Sequence, residues 1–352
     1  MKKKVNPVAL SCPVPLEATD RVQLGHGSGG KLSAQLVSRH FLPYFENAAL
    51  AQLGDASVVA IESGELAVST DTFVVHPIEF PGGNIGSLSV HGTLNDVAMM
   101  GARAVCLTAG FVLEEGLPLV VLDRVIAAMA SAAHEAGVPI VAGDTKVVER
   151  GKADGVYINT TGLGAMDAGF RPAPARAQAG DAILVSGPIA RHGMAIMAAR
   201  EGLSFESAIT SDSACLAPLV DTLRPLGMDV HVLRDPTRGG VASALNEIAV
   251  ASGVGVEIID GALPVPSDVH AACELLGLDP LYVANEGVLV AFVAASQAEA
   301  ALRALRSHPL GAEATRIGNV VAAHARIVAL RTALGGTRVV DLLPGDQLPR
   351  IC

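Results

Sequence analysis

Short apolar runs alternate with longer amphipathic ones along this chain, and the alternation stops at one place and begins again. In the first half, Val58 to Ile61 and Leu66 to Ser69 read as strands joined by the turn Glu62-Ser63-Gly64-Glu65. Ile85 to Met100 reads as a helix, Ala104 to Leu113 as a strand, and Val120 to Ala136 as an amphipathic helix closed by Gly137. Ile140 to Ala142 and Val156 to Gly162 read as further strands. From Ala168 to Gly180 the pattern gives way to Pro172, Pro174 and scattered Ala and Arg, which marks a domain boundary. The second half restarts with a strand from Ala182 to Ser186 and a helix from Gly193, then helices at Ser213 to Leu223 and Gly240 to Ala251. Strands at Gly255 to Ile259 and Val288 to Ala294, a helix at Gln297 to Arg306, and strands near Ile317 to Val321 and Arg326 to Leu330 complete it. Neither half keeps the regular beat of a doubly wound sheet, so the expected fold class is α+β, two domains in series. The expected bounds are a loose tail over 1–24, domains over 25–167 and 168–343, and a mobile tail over 344–352.

The length of 352 residues suits two domains of ordinary size. A net charge of -10 argues against a nucleic-acid-binding face, yet leaves room for a nucleotide whose phosphates are held by Mg²⁺. Cys12, Cys106, Cys215, Cys273 and Cys352 are odd in number, scattered and without a C-x-x-C pair, as expected of reduced thiols in a cytoplasmic protein. No stretch supplies the roughly 18 uncharged apolar residues of a membrane span. The basic start Met1-Lys2-Lys3-Lys4 is followed by Pro7, Pro13 and Pro15, which break up any signal-peptide core.

Several stretches can carry chemistry. The chain ends in Pro349-Arg350-Ile351-Cys352, so a thiol sits beside the free α-carboxylate; it is either a frayed end or a swinging nucleophile able to carry an acyl or carbamoyl group. Gly25-His26-Gly27-Ser28-Gly29-Gly30-Lys31 has P-loop spacing, but Leu32 stands where Ser or Thr must hold Mg²⁺, which excludes a Walker motif. The segment is then either a flexible turn or a backbone cradle for phosphate. Asp55, Asp71, Asp96 and Asp144 each lie at or near the end of an apolar run, where carboxylates can converge on a metal–polyphosphate site; singly, each is an ordinary cap or turn residue. Lys146 can hold a phosphate or an oxyanion, or be a solvated surface lysine. Asp235-Pro236-Thr237-Arg238-Gly239-Gly240 reads as a helix-entry loop able to bind an anion. Glu286, just ahead of an apolar strand, is a candidate base if its pKa is raised. His91 and His192 read as turn or pocket-wall residues, since no two histidines have ligand spacing.

Taken in order, seven segments resemble one family. They are residues 25–31, Ser69-Thr70-Asp71-Thr72-Phe73-Val74-Val75, Asn95-Asp96-Val97-Ala98-Met99-Met100-Gly101-Ala102, Ala142-Gly143-Asp144-Thr145-Lys146-Val147-Val148, residues 234–240, Ala284-Asn285-Glu286-Gly287 and the terminal Pro-Arg-Ile-Cys. They look like the HypE family of hydrogenase maturation factors, of the PurM-like ATP-dependent superfamily, from about Val22 to Cys352. The resemblance implies ATP and Mg²⁺ as cofactors and a homodimer whose first-domain strands pair between subunits. It implies that Lys31, Asp55, Asp71, Asn95, Asp96, Gly143, Asp144 and Asp235 line the nucleotide site, with Asp55, Asp71, Asp96 and Asp144 on Mg²⁺. It further implies that Cys352 receives a carbamoyl group from the carbamoyltransferase HypF and is dehydrated to the thiocyanate, with Lys146 steadying the oxygen and Glu286 as base. The cyanide would pass to iron on the HypC–HypD complex. Two other readings compete: another PurM-like activity such as selenophosphate synthesis, which would use a thiol near the glycine-rich stretch, and a non-catalytic thiol carrier.

Overall fold

The computed structural model of the chain describes residues 30–36, 38, 57–61, 64–202, 209–343, 345, 348 and 350–352. Asp55 and most of the glycine-rich segment lie outside the described residues. The first half holds α1 (Lys31–Leu36), β1 (Ser57–Ile61), β2 (Gly64–Phe73), the short pair β3 (Glu79–Phe80) and β4 (Gly83–Asn84), α2 (Ile85–Met99), β5 (Arg103–Glu114), α3 (Leu119–Glu135), β6 (Ile140–Val148) and β7 (Val156–Ala165). Among the described residues the main strands form one sheet in the order β1-β2-β7-β5-β6, antiparallel except between β5 and β6.

Among the described residues, one face of this sheet is covered and the other is not. Along β7 every second residue from Val156 to Gly164 is buried against α2, while the residues between them are less buried. That alternation is what a strand with one covered face produces. Helix α2 starts where Asn84 Oδ1 accepts the Gly86 and Ser87 N–H groups and Ser87 Oγ accepts the Asn84 N–H, a capping box that fixes its first turn.

The second half contains β8 (Ala182–Val185), α4 (Arg191–Glu201), α5 (Ala217–Leu223), β9 (Val230–Arg234), α6 (Gly240–Ser252), β10 (Gly255–Ile259), α7 (Ser267–Leu276), β11 (Val290–Val293), α8 (Ala298–Arg306), β12 (Thr315–Val321), β13 (Val328–Arg331) and β14 (Thr337–Val340). Its sheet runs β14-β13-β10-β12-β8-β11-β9. Here both faces are covered at the centre. Ile183, Val185, Val290 and Phe292 pack on the α6 side, and Ala182, Leu184, Ala291 and Val293 pack with Leu219, Leu302 and Leu305 of α5 and α8. Continuous apolar strands result, as the sequence suggested.

Helix α5 is shorter than expected: it begins at Ala217, because the residues before it are tied elsewhere. Ser211 N–H donates to Pro81 O, Ala214 N–H to Glu286 O and Leu216 N–H to Asn95 Oδ1. The expected strand from Val288 begins at Val290. The strands β9 and β14 and helix α7 have no counterpart in the sequence reading. Two apolar clusters join the halves: one brings Phe73, Ile85 and Val90 against Met194, Ile196 and Val283, with Leu348 and Ile351 of the C-terminal segment packed among them, and the other sets Ala98 and Met99 against Leu216 and Leu219. No described helix is long and apolar enough to cross a membrane.

Candidate active site

The C-terminus is drawn into the seam between the two halves. Ile351 is 3% exposed and its carbonyl accepts from His192 Nε2 at 2.7 Å. Val74 N–H donates to Cys352 O at 3.2 Å and His76 N–H to Arg350 O at 3.1 Å, so the last residues lie along the extension of β2 like an added strand. Arg200 Nη2 donates to Arg350 O at 2.7 Å and to His76 O at 2.8 Å, and Arg350 Nη1 pairs with Asp154 Oδ2 at 2.6 Å. Residues 350–352 are docked here by groups that reading the tail alone does not reveal.

Docked this way, the Cys352 thiol is buried beside the Glu286 carboxyl. Burial and then the negative Glu286 push the thiol well above its ordinary range, Arg238 opposes them, and Asp71 adds to the rise. The resting sulfur is thus a neutral thiol, not a thiolate. Glu286 is 2% exposed, and its own pKa is raised by burial first and then by Asp235, Asp212 and Asp71, against the pull of Arg238. Its Oε1 is buried without a partner.

Two loops carry this pair. In the turn before β11, Asn285 binds Pro236 O through both its main-chain N–H (3.1 Å) and its Nδ2 (2.9 Å), which ties it to the β9–α6 loop bearing Asp235 and Arg238. That loop turns into α6 through Gly239 and Gly240, at φ +75° and +61°, values that favour glycine. From below, Asp212 Oδ2 accepts the Glu286 and Gly287 N–H groups at 3.2 and 3.1 Å. A Cβ on Gly287 would sit 1.7 Å from Asp212 O, so this turn admits only glycine after Glu286. Burial pushes Asp212 up to about 6 and, with Arg234 opposing, Asp235 also to about 6.

Of the expected site residues, Cys352, Glu286, Asp71 and Asp235 come together, with Arg238 paired to Asp71 at 3.8 Å. Asp96, on α2, accepts from Ser69 Oγ at 2.6 Å, and Ser69 shares the covered face of β2 with Asp71. Asn95, expected on the nucleotide, is fully buried and engaged by the protein itself: Nδ2 donates to Ala214 O and Glu286 O, and Oδ1 accepts from Leu216 N. Lys31 is committed to Asp341 at 2.8 Å, and its N–H donates to Leu343 O at 2.7 Å, pinning the end of the glycine-rich segment to the root of the tail.

Asp144 and Lys146 do not join the cluster within one chain, and Gly143, in register with Ala109, Thr160 and Asp71, lies three strands across the sheet from Asp71. Thr72 pairs with Asn159, Asn159 with Gly110 and Gly110 with Asp144, so these residues share a sheet face. Asp71 pairs with Thr160, whose Oγ1 donates to Ser89 O of α2, and therefore lies on the opposite, covered face. Lys146, two residues beyond Asp144, is on the uncovered face with it; the two form an exposed ion pair of 3.0 Å in a hollow lined by Phe111, Tyr157 and Asn159. Within one chain this parity separates Asp144 from Asp71 and Asp96: one strand step decides the face.

Asp212, His192, Arg200 and Asp154 hold the site together and were not marked out as functional by the sequence. Asp212 lies in Ser-Asp-Ser, which reads as a turn. Arg238, inside the anion-loop motif, carried the only usable signal.

No three His, Cys, Asp or Glu side chains among the described residues group closely enough to bind a metal ion alone. Mg²⁺ needs only one or two carboxylates when phosphate and water oxygens complete its shell. The hard oxygens of Asp71 and Asp96, and the unpartnered buried Asp235 Oδ2, fit that donor set.

Comparison with known proteins agrees with the motifs. Residues 53–166 match the family model of AIR synthase related protein, N-terminal domain, and residues 178–330 that of the C-terminal domain. Carbamoyl dehydratase HypE of Cupriavidus necator is 56% identical over 94% of this chain and 95% of its own length, and that of Escherichia coli is 47% identical over 95% and 100%. A crystal structure of HypE in complex with ATP aligns with TM-score 0.80 and 50% identity, covering 94% of this chain and all of that one. One of a HypE–HypF complex aligns with TM-score 0.84 and 45% identity, over 88% of this chain and 99% of the other. With a PurM-like α+β fold, a buried terminal cysteine beside Glu286 and identity of this order over nearly the whole length, the chain belongs to the HypE family of carbamoyl dehydratases.

Proposed function

We propose that this chain uses ATP to dehydrate a carbamoyl group carried on Cys352 to the S-cyanide, supplying the cyanide ligand of a nickel–iron hydrogenase. The docking of the C-terminus in the seam carries the reading, because it sets the Glu286 carboxyl beside the sulfur that bears the substrate. An amide oxygen is too poor a leaving group to be expelled from S–C(=O)–NH₂ in water. Transfer of the ATP γ-phosphoryl to that oxygen converts it to phosphate, which can leave. Each nitrogen proton must also go: one departs as the oxygen is phosphorylated, the second as phosphate leaves and C≡N closes. Glu286 takes the nitrogen proton, and its raised pKa makes its carboxylate a stronger base than a solvent-exposed one. Asp71 and Asp96 would hold Mg²⁺, which balances phosphate charge, while Asp235 and Arg238 border the same space.

Lys146 and Asp144 serve a second copy in this reading. β6 is the last strand of its sheet, and Val141 and Val147 on it are 60% and 67% exposed, so pairing in a homodimer would cover an edge that proteins rarely leave bare. The uncovered face would then offer Lys146 to the partner's carbamoyl oxygen. A HypF carbamoyltransferase would load Cys352 and a HypC–HypD complex would take the cyanide. Cysteines 106, 215, 273 and 352 are free, which suits the cytoplasm.

Intact-mass analysis of the carbamoyl-loaded chain tests this. Adding ATP should remove one water, about 18 Da, and Glu286→Gln should slow that loss about 10²–10⁴-fold, the usual weight of a general base. A loaded parent chain whose mass does not change with ATP overturns the proposal.

A further inference from the structure

We infer that His192 and Arg200 form a latch that keeps the C-terminus docked and so sets how often Cys352 is exposed to other molecules. Between them and the main chain of residues 74–76, all three carbonyls of residues 350–352 are taken, so the docked end is read through its backbone. His192 is fully buried on α4, the first turn of which follows Ala190 in the left-handed region. A carbonyl can only accept, so the proton of His192 is on Nε2, and Nδ1 must accept from Ser211 Oγ at 2.8 Å. Ser211 Oγ in turn accepts the Ser213 N–H at 3.0 Å, which leaves its hydroxyl proton for the imidazole. The ring is therefore oriented from behind by the segment that also carries Asp212, the carboxylate under Glu286. Burial lowers the His192 pKa to about 4, so the ring stays neutral and its single N–H points at the terminus.

Arg200 works from the rim. Its Nε and Nη2 both donate to His76 O, and Nη2 also reaches Arg350 O, so one guanidinium bridges the receiving strand and the arriving one. The Arg350–Asp154 pair is partly exposed and adds little to the hold. The side chain of Ile351 and the two donors thus do most of the docking, and Cys352 itself is left to face Glu286.

A tail that must leave to be loaded and return to be dehydrated needs a hold of limited strength; this consequence, unlike the latch itself, rests on the proposed function. The test is alkylation of the unloaded full-length chain by iodoacetamide, read separately at Cys352 and at Cys106, a free cysteine on β5 in register with Leu163 and Val68 and so away from residues 74–76, which receive the tail. Arg200→Ala and His192→Ala should each speed modification of Cys352 about tenfold, the weight of one hydrogen bond, with Cys106 unchanged. His192→Gln, which keeps a donor, should recover part of the protection. Carbamoyl loading should quicken in parallel while dehydration does not. Arg200 is on the surface, so its variant serves if the buried histidine cannot be replaced without unfolding. A Cys352 rate within about twofold of the parent, or one that rises in step with Cys106, overturns the latch. If the latch variants behave as expected but ATP never removes water from the loaded parent, the functional reading falls and the latch stands.

Discussion

Asp212→Asn isolates the charge beneath Glu286. The aspartate accepts two turn N–H groups through Oδ2 and leaves Oδ1 buried without a partner. An asparagine oxygen can take the same two N–H groups, so the turn keeps its shape and the charge alone is lost. Burial raises Asp212 from 3.8 to about 6, although the N–H groups from Gly287 and its neighbours pull the other way. The folded chain therefore keeps this proton at pH values where the unfolded chain has already released it. The stability that protonation supplies is complete below pH 3.8 and is lost as pH rises through about 6. Roughly two pH units at about 1.4 kcal/mol each give a loss of about 3 kcal/mol. Asparagine does not titrate, so the unfolding free energy of the variant minus that of the parent should grow by about 3 kcal/mol between about pH 4 and pH 7. Any fixed cost of the new amide N–H₂ cancels from that difference. Urea unfolding across this range, at constant salt, provides the measurement. The same substitution removes one of the charges that raise Glu286, so the base limb of the dehydration pH profile should move to lower pH. Stability curves that run parallel would refute the argument.

Two further outcomes are expected. Gly287→Ala must push Asp212 O away from a Cβ that would lie at 1.7 Å, so it should cost about 2–4 kcal/mol in denaturant unfolding and slow dehydration by displacing the neighbouring Glu286. Mixing Lys146→Ala chains with Glu286→Gln chains, each inactive alone, should restore about a quarter of parental dehydration if Lys146 acts across a twofold interface, since half the dimers are mixed and each has one intact site. No recovery after verified subunit exchange would place Lys146 on its own chain's site or outside the reaction.

The elements legible in the sequence were those whose apolar pattern is decided locally. Ala182 to Val185 is apolar throughout because both faces of its sheet are covered, and α3 shows its stripe because one side meets α2. β14 was illegible: three of the four residues in Thr337–Val340 are exposed, and the strand exists because it pairs with β13. Helix α7 follows Pro266 with no side-chain cap and gives only a weak start signal. In the site, Glu286 and Cys352 were found through the order of motifs. The burial of Asp212 depends on a turn more than 70 residues away, and no local pattern reports it. For Lys146 the shared parity with Asp144 was readable, but which face of β6 is covered depends on where α2 lands.

The contact between Lys31 and residues 341–343 spans 310 positions of chain. A ribosome adding roughly 5–20 residues per second needs about 15–60 s to cover that interval, so Lys31 waits that long for these partners. Polypeptides cut short before Asp341 would lose more than the sulfur at the end: Lys31 would also lose its ion pair with Asp341 and its hydrogen bond to Leu343 O. Premature termination would therefore be felt at both extremities of the protein at once.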